Sequence, residues 1–250
     1  MSKNTFATAP ATAAGAEPTA PALDPQTRAA LAALMTSRAN VYRLLSRCYR
    51  SEVDNALARD LTSGFAFASD DPALVEALDT MRTALADADE AALEQLAVTF
   101  DRVFFGMGPL TARHAFPYES VYTSDRGIMM QDAYAQVVRA YREQHLAKDA
   151  SFTEPEDHLA VELAFMATLA DRAESFLTTG DASGDEAADQ TVRQSLAFAR
   201  NHLLNWVDRF CANLDAAAST DDADGFYPSL ARFTAAFVRE DALLLDDMLD

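Results

Sequence analysis

An all-α, single-domain helical bundle is the fold class this sequence predicts, and three observations predict it. Alanine, leucine, aspartate and glutamate dominate, whereas 250 residues carry only 8 glycines and 9 prolines. That balance favours helices, because all-β proteins need β-branched and turn residues in quantity. Apolar residues recur at three- and four-residue spacing along most of the chain, the signature of helices with one buried face. No segment alternates apolar and polar residues well enough for a sheet, and no internal repeat is present. A chain of this length, half of it hydrophobic, supports one sizeable core.

The elements follow in order. Residues 1–23 form an Ala/Thr/Pro tract with almost no large apolar side chains, read as a disordered tail because it cannot offset its ordering entropy by burial. The helical domain runs over residues 24–250. Asp24 before Pro25 suits an N-cap with proline at the first helical position. Leu31, Leu34, Met35, Val41, Leu44, Leu45, Cys48 and Tyr49 then give the first helix its apolar stripe. Further helices are expected at about 54–66, 71–86 and 89–104, with Gly106-Met107-Gly108-Pro109 breaking the last. Residues 106–125 form a long aperiodic segment whose Phe116, Tyr118 and Tyr122 favour an ordered loop packed on the body. Helices are expected again at about 127–146, 155–178, 187–214 and 226–248, with polar connectors at Gly180–Gly184 and Thr220–Gly225. About eight or more helices result.

Charge narrows the function classes. With 39 acids against 20 bases the formal charge is −19, which disfavours nucleic-acid binding through a basic face and attachment to an anionic membrane. The same field steers a basic peptide or protein inward. Cys48 and Cys211 lie far apart within apolar helical patterns, with no CxxC and no zinc spacing, as expected of buried thiols in a reducing compartment. No apolar run approaches the roughly 20 residues of a membrane span, and the N-terminal tract lacks the h-region of a secretory signal, so the cytoplasm is the expected location.

Two segments concentrate the chemistry. In Thr153-Glu154-Pro155-Glu156-Asp157-His158, Thr153 and Glu156 have the spacing of a capping box, and early carboxylates suit the positive end of a helix. That explanation leaves His158 over, since a charged imidazole is unfavourable there; a neutral or carboxylate-paired ring is expected. Pro117-Tyr118-Glu119-Ser120-Val121-Tyr122 reads either as a rigid turn whose tyrosines fill the core edge or as the wall of a groove, with Glu119 facing a cation. The Phe104-Phe105 pair upstream is assigned to the core.

Catalytic and metal sites find little support. Glu154, His158 and Glu162 share one helical face, but a di-metal bundle needs Glu-x-x-His elements, and none occurs. His114, His145 and His202 are isolated, and Ser120 and Ser124 lack a nucleophile elbow. Gly106-x-Gly108 has no following lysine and is no phosphate loop. No catalytic residue, metal or cofactor is therefore assigned, although Glu119, Asp157 and His158 could form a proton-transfer group if the fold joined them.

Several motifs, in order along the chain, carry a resemblance. They are Arg38-x-x-x-Tyr42-x-x-Leu45, Phe100-x-x-x-Phe104-Phe105-Gly106, Pro117-Tyr118-Glu119-Ser120-Val121-Tyr122, Glu154-Pro155-Glu156-Asp157-His158-Leu159, His202-Leu203-x-x-Trp206 and Phe226-Tyr227. On these the chain resembles the TorD/DmsD/NarJ group of redox enzyme maturation chaperones, on its TorD-like branch, over about residues 28–245. The N-terminal tract departs from the pattern. The resemblance implies an all-helical cytoplasmic chaperone without catalysis of its own. Its expected partners are a molybdopterin-containing oxidoreductase apoprotein and that enzyme's twin-arginine signal peptide, with no nucleic acid and no membrane insertion, and the protein itself a monomer or homodimer. It would hold the client until its molybdenum cofactor is inserted, before export. A twin-arginine leader is basic at one end and apolar along its length, so a receptor should join carboxylates to an apolar groove. The expected peptide-binding residues are Tyr118, Glu119, Ser120, Tyr122, Glu154, Pro155, Asp157 and His158. Glu119, Glu154 and Asp157 would take guanidinium groups. Tyr118, Tyr122 and Pro155 would line the groove, and His158 would orient Asp157 or touch peptide backbone. The alternatives are an acidic helical adaptor binding a basic partner without leader recognition, and a helical enzyme built on Glu119, Asp157 and His158.

Overall fold

Aspartate starts many of the helices, which gives part of the acidic composition a structural use. Asp24, Asp54, Asp71, Asp89 and Asp181 each stand in extended backbone before a helix and accept hydrogen bonds from its first-turn N–H groups. Each cap is worth about 1 kcal/mol relative to alanine. The computed structural model describes residues 22–107, 113–218 and 225–249, together with the backbone of 6–8.

Among the described residues the chain forms ten α-helices. The first, α1, spans Pro25–Arg50. A short α2 (Asn55–Arg59) continues into a π-helical turn, Asp60–Gly64. Then come α3 (Pro72–Ala86) and α4 (Glu90–Phe105), which Gly106 ends in the left-handed region at φ 69°. The expected loop contains one short helix, α5 (Glu119–Thr123). Next are α6 (Asp132–Glu143), α7 (Leu159–Leu177) and α8 (Ala182–Phe198). A second π-helical turn, Ala199–Leu203, leads toward α9 (Val207–Ala218), and α10 (Phe226–Asp247) follows. No helix among the described residues is long and apolar enough to cross a membrane.

Four expectations need correction. The 127–146 helix shortens to α6, because His145 adopts φ 55° and Leu146–Lys148 turns into a short strand, β2. The 155–178 helix starts later, at Leu159. The 187–214 helix is two helices separated by the π turn, and the first begins at Ala182, within the stretch read as a connector. Gly184 is there because a Cβ would lie 2.4 Å from the Phe176 carbonyl oxygen at the end of α7, so it permits a tight α7–α8 junction. Finally, Phe104 is buried but Phe105 is 44% exposed, so only one of the pair belongs to the core.

Of the tract expected to form a tail, residues 1–5 and 9–21 lie outside the described residues. Phe6–Thr8 (β1) pairs antiparallel with β2, Ala7 opposite Ala147. The expected connector at Thr220–Gly225 also lies outside, except for Gly225.

The central element is α7, buried at every position from Leu159 to Ala170. It packs most extensively against α1 and then α8, while α10 packs on α3 and α9. A helix apolar all round is stable only when neighbours cover every face. Ser46 of α1 donates to the Ala160 carbonyl at 2.7 Å, and Arg43 pairs with Asp171 on the same interface. Aromatic rings tie α1, α4, α9 and α10 together: Tyr49 meets Phe104 at 5.9 Å and Phe210 at 5.5 Å, and Phe104 meets Tyr227 at 5.8 Å. Both cysteines are buried and unpaired.

α1 and α10 are joined by a buried ion pair. Arg38, 3% exposed, donates from two guanidinium nitrogens to both oxygens of Asp241, and the Tyr42 hydroxyl donates to the same carboxylate at 2.6 Å. Removing the anion alone strands a buried guanidinium. Asp241→Ala is therefore expected to lose about 3–5 kcal/mol of stability in urea unfolding, whereas Arg38→Met with Asp241→Leu should stay close to the wild type. Equal loss in both proteins would show that packing, not charge, sets the cost.

Candidate functional site

The two segments singled out in sequence lie side by side. Tyr118 and His158 form an antiparallel bridge, Glu119 N–H donates to the Asp157 carbonyl at 2.9 Å, and Leu159 N–H donates to the Pro117 carbonyl at 2.8 Å. Asp157 Oδ2 accepts from Ser120 N–H at 3.1 Å. The reason is the buried start of α7, whose free N–H groups need partners away from water. Leu159 uses Pro117, Ala160 donates to His158 Nδ1 at 3.0 Å, and Val161 and Glu162 donate to the His158 carbonyl at 2.8 and 3.2 Å. His158 is thus the N-cap. The expected capping box of Thr153 and Glu156 does not form, since the helix begins three residues beyond Glu156.

The His158 ring packs edge-on between Tyr118 at 5.0 Å and Phe152 at 5.2 Å. Accepting at Nδ1 requires the neutral imidazole with its proton on Nε2. Burial, helped by Lys148 and Arg50, pushes its pKa down to about 3. A neutral or carboxylate-paired ring was expected; the ring pairs with no carboxylate through Nδ1, which accepts from the backbone N–H of Ala160.

Below this strand pair lies a knot of buried carboxylates. Glu119 is 1% exposed and accepts from Asn205 Nδ2 at 2.9 Å, with His202 Nδ1 3.1 Å from its other oxygen. Glu162, in the first turn of α7, is fully buried and accepts from Trp206 Nε1 at 3.3 Å. Burial drives the Glu162 pKa well up, reinforced by the charges of Glu119 and Asp157 and by a hydrogen bond to Glu119. Burial also raises Asp157, against the opposing hydrogen bonds from Ser120. Glu162 Oε1 and Asp157 Oδ1 have no hydrogen-bond partner among the described residues.

The accessible rim is different in character. Glu154, Pro155 and Glu156 are half-buried, and the Tyr118 hydroxyl donates to the Glu154 carboxylate. Tyr122, also half-buried, stacks on Trp206 at 5.4 Å. All eight expected residues therefore meet in one region, but in two layers. Glu119, Ser120, Asp157 and His158 are inside and engaged by the chain itself, whereas Glu154, Pro155 and Tyr122 reach the surface beside the nearly buried Tyr118. Among the described residues no group of three His, Cys, Asp or Glu side chains could hold a metal ion. Sequence reasoning set Glu162 on one face with Glu154 and His158 only in weighing a metal site, and it did not place His202, Asn205 or Trp206 in this region. The His202-Leu203-x-x-Trp206 spacing was visible, but nothing local says that its π turn faces Glu119.

Comparison with known proteins decides the family. Residues 68–212 match the family model described as "Nitrate reductase delta subunit". The chain is 31% identical over 229 residues to a "Chaperone protein TorD" from Vibrio cholerae, covering 86% of this chain and 95% of that one. It is 33% identical over 178 residues to the namesake from Photobacterium profundum, covering 70% and 76%. With the namesake from Shewanella pealeana it shares 29% identity over 232 residues, covering 85% and 91%. The chain belongs to the TorD/NarJ family of redox enzyme maturation chaperones. These relatives carry the names of chaperones, not of enzymes, in agreement with the absence of an assigned catalytic residue.

In this TorD-family chain the His158 cap has a pH signature. Its folded pKa lies below the unfolded value, so between pH 6.5 and about 3 the unfolded state binds the proton that the folded ring refuses. Stability present above pH 6.5 is lost on acidification, at about 1.4 kcal/mol per pH unit. His158→Asn keeps a side-chain acceptor for Ala160 N–H but cannot titrate. Thermal midpoints from pH 7 down to 5 should fall more steeply for the wild type than for His158→Asn; parallel curves would mean that the imidazole is not held neutral.

Proposed function

We propose that this protein is a cytoplasmic chaperone that binds the twin-arginine leader and the apo-form of a molybdenum-cofactor oxidoreductase, holding it for cofactor insertion before export. The observation that carries the reading is the two-layered site: a half-exposed rim of Glu154, Pro155, Glu156 and Tyr122 above the buried carboxylates of Glu119, Asp157 and Glu162. A strongly acidic chain attracts the basic end of a leader, and the rim combines carboxylate with aromatic and proline surface, the pairing such a peptide needs. Naming of the relatives as TorD chaperones supports the same reading.

In this reading Glu154 meets a guanidinium first, because its carboxylate is reachable and is held in place by Tyr118. Tyr118, Tyr122 and Pro155 supply the apolar wall. Ser120 and His158 hold the strand pair in register, and Asp157 and Glu119 act from within. A guanidinium can reach those two acids only when the loop above them or the His202 ring moves.

Calorimetric titration with a twin-arginine leader peptide from a molybdoenzyme, against its Lys-Lys variant, tests the proposal. Binding should weaken when the arginines are replaced, and no binding of any leader would overturn leader recognition. Glu154→Gln should lower affinity about tenfold, the loss of one charge-assisted hydrogen bond, with the circular-dichroism spectrum unchanged. A folded Glu154→Gln protein with wild-type affinity would remove Glu154 from the site.

A further inference from the structure

Beside the buried carboxylates, on the side of α6 and α8, lies a cleft of about 450 Å³. Arg139 and Glu143 of α6 line it from one side, Gln194, Phe198 and Asn201 from the other, and His202 is among its lining residues. His202 is also the residue hydrogen-bonded to Glu119. One imidazole therefore connects the cleft to the acidic knot. It sits in the Ala199–Leu203 π turn, a feature that commonly marks functional positions because it displaces a side chain from the regular helical face.

The knot itself is chemically unfinished. Burial, with the charges of Glu119 and Asp157 close by, drives the Glu162 pKa well up, and no cation answers it. The groups facing Glu162 are Glu119 from α5, Asp157 from the segment before α7, Tyr141 from α6, and His202 and Trp206 from the π turn and the turn after it. None of these is a fixed cation. The nearest permanent positive charge in the cleft is Arg139, with Glu143 one helical turn away. Glu162 Oε1 and Asp157 Oδ1, both on fully buried side chains, remain without hydrogen-bond partners among the described residues.

We infer that the α6–α8 cleft admits one arginine side chain of the leader, which displaces His202 from Glu119 and pairs with the buried carboxylates of Glu119 and Glu162. This deepens the leader-binding proposal and rests on it. A guanidinium beside Glu162 draws its raised pKa down again, and the proton that leaves passes to the solvent with only its O–H bond broken. A guanidinium suits the site better than an ammonium, since five donors in a plane can serve two carboxylates at once and its weaker hydration lowers the cost of entering. Glu162 thereby becomes a specificity residue that the sequence motifs did not single out.

Proton linkage provides the test. Titration of the full-length protein with leader peptide at pH 7, in phosphate and again in Tris, reads the protons exchanged from the difference in heat. The wild type should release protons on binding leader, and Glu162→Gln, which cannot ionise, should release none. Ala197, exposed on the cleft wall, offers an independent check: Ala197→Trp fills the cleft and should weaken leader binding at least about tenfold with helicity unchanged. Equal heats in the two buffers for the wild type, a proton still released by Glu162→Gln, or wild-type affinity in Ala197→Trp would each overturn the inference. Failure of the wild type to bind any leader would instead overturn the chaperone reading beneath it.

Discussion

The enclosure of the Leu159–Ala170 stretch of α7 on all sides is the constraint on which the remaining structure depends. A stretch of helix with no solvent-facing side must be covered by α1, α8 and their neighbours, and its N-terminus must be covered as well. Four unpaired N–H groups in a dry setting would cost several kcal/mol together, so another part of the chain has to meet them. Pro117 and His158 do this, and the Pro117–Ser120 segment is drawn against Asp157–Leu159 as a consequence. Much of what looks like a functional motif in sequence is therefore the means by which a buried helix begins.

The same constraint accounts for the carboxylates beneath. The positive end of the α7 dipole favours Glu162 in its first turn and Asp157 just before it. Yet burial of three acids within one region opposes full ionisation, and the outcome is a raised Glu162 and Asp157, a hydrogen-bonded Glu119–Glu162 pair, and neutral donors from Asn205 and Trp206. Such a knot is poised for a cation in a way that a surface cluster of aspartates is not. Elsewhere the acidic residues have other uses: aspartates cap five helices, and Asp185 receives Arg28 and the Leu23 N–H where the first helix meets α8.

Arg38, Tyr42 and Asp241 illustrate how a motif can be legible without its partner. Arg38-x-x-x-Tyr42 places both side chains on one face of α1, and a buried guanidinium demands an anion. Nothing near either residue in sequence identifies Asp241, which lies 203 residues from Arg38. Only tertiary packing brings this part of α10 to α1.

By itself the sequence determined the helical class, the cap-and-proline start of α1 at Asp24-Pro25, the glycine end of α4 and the two segments that carry the site. These are local matters, fixed by periodicity, by the side chains that satisfy free N–H groups and by the left-handed backbone that glycine permits. Tertiary structure decided that α7 begins at Leu159, that Gly184 belongs to a helix, that the expected 187–214 helix breaks at a π turn, that His202 and Asn205 meet Glu119, and that Trp206 donates to Glu162. Each of these depends on a contact between segments distant in the chain, where burial sets the cost of an unpaired polar group and so selects which residue serves as cap, donor or acid. Spacing alone carries no information about that cost.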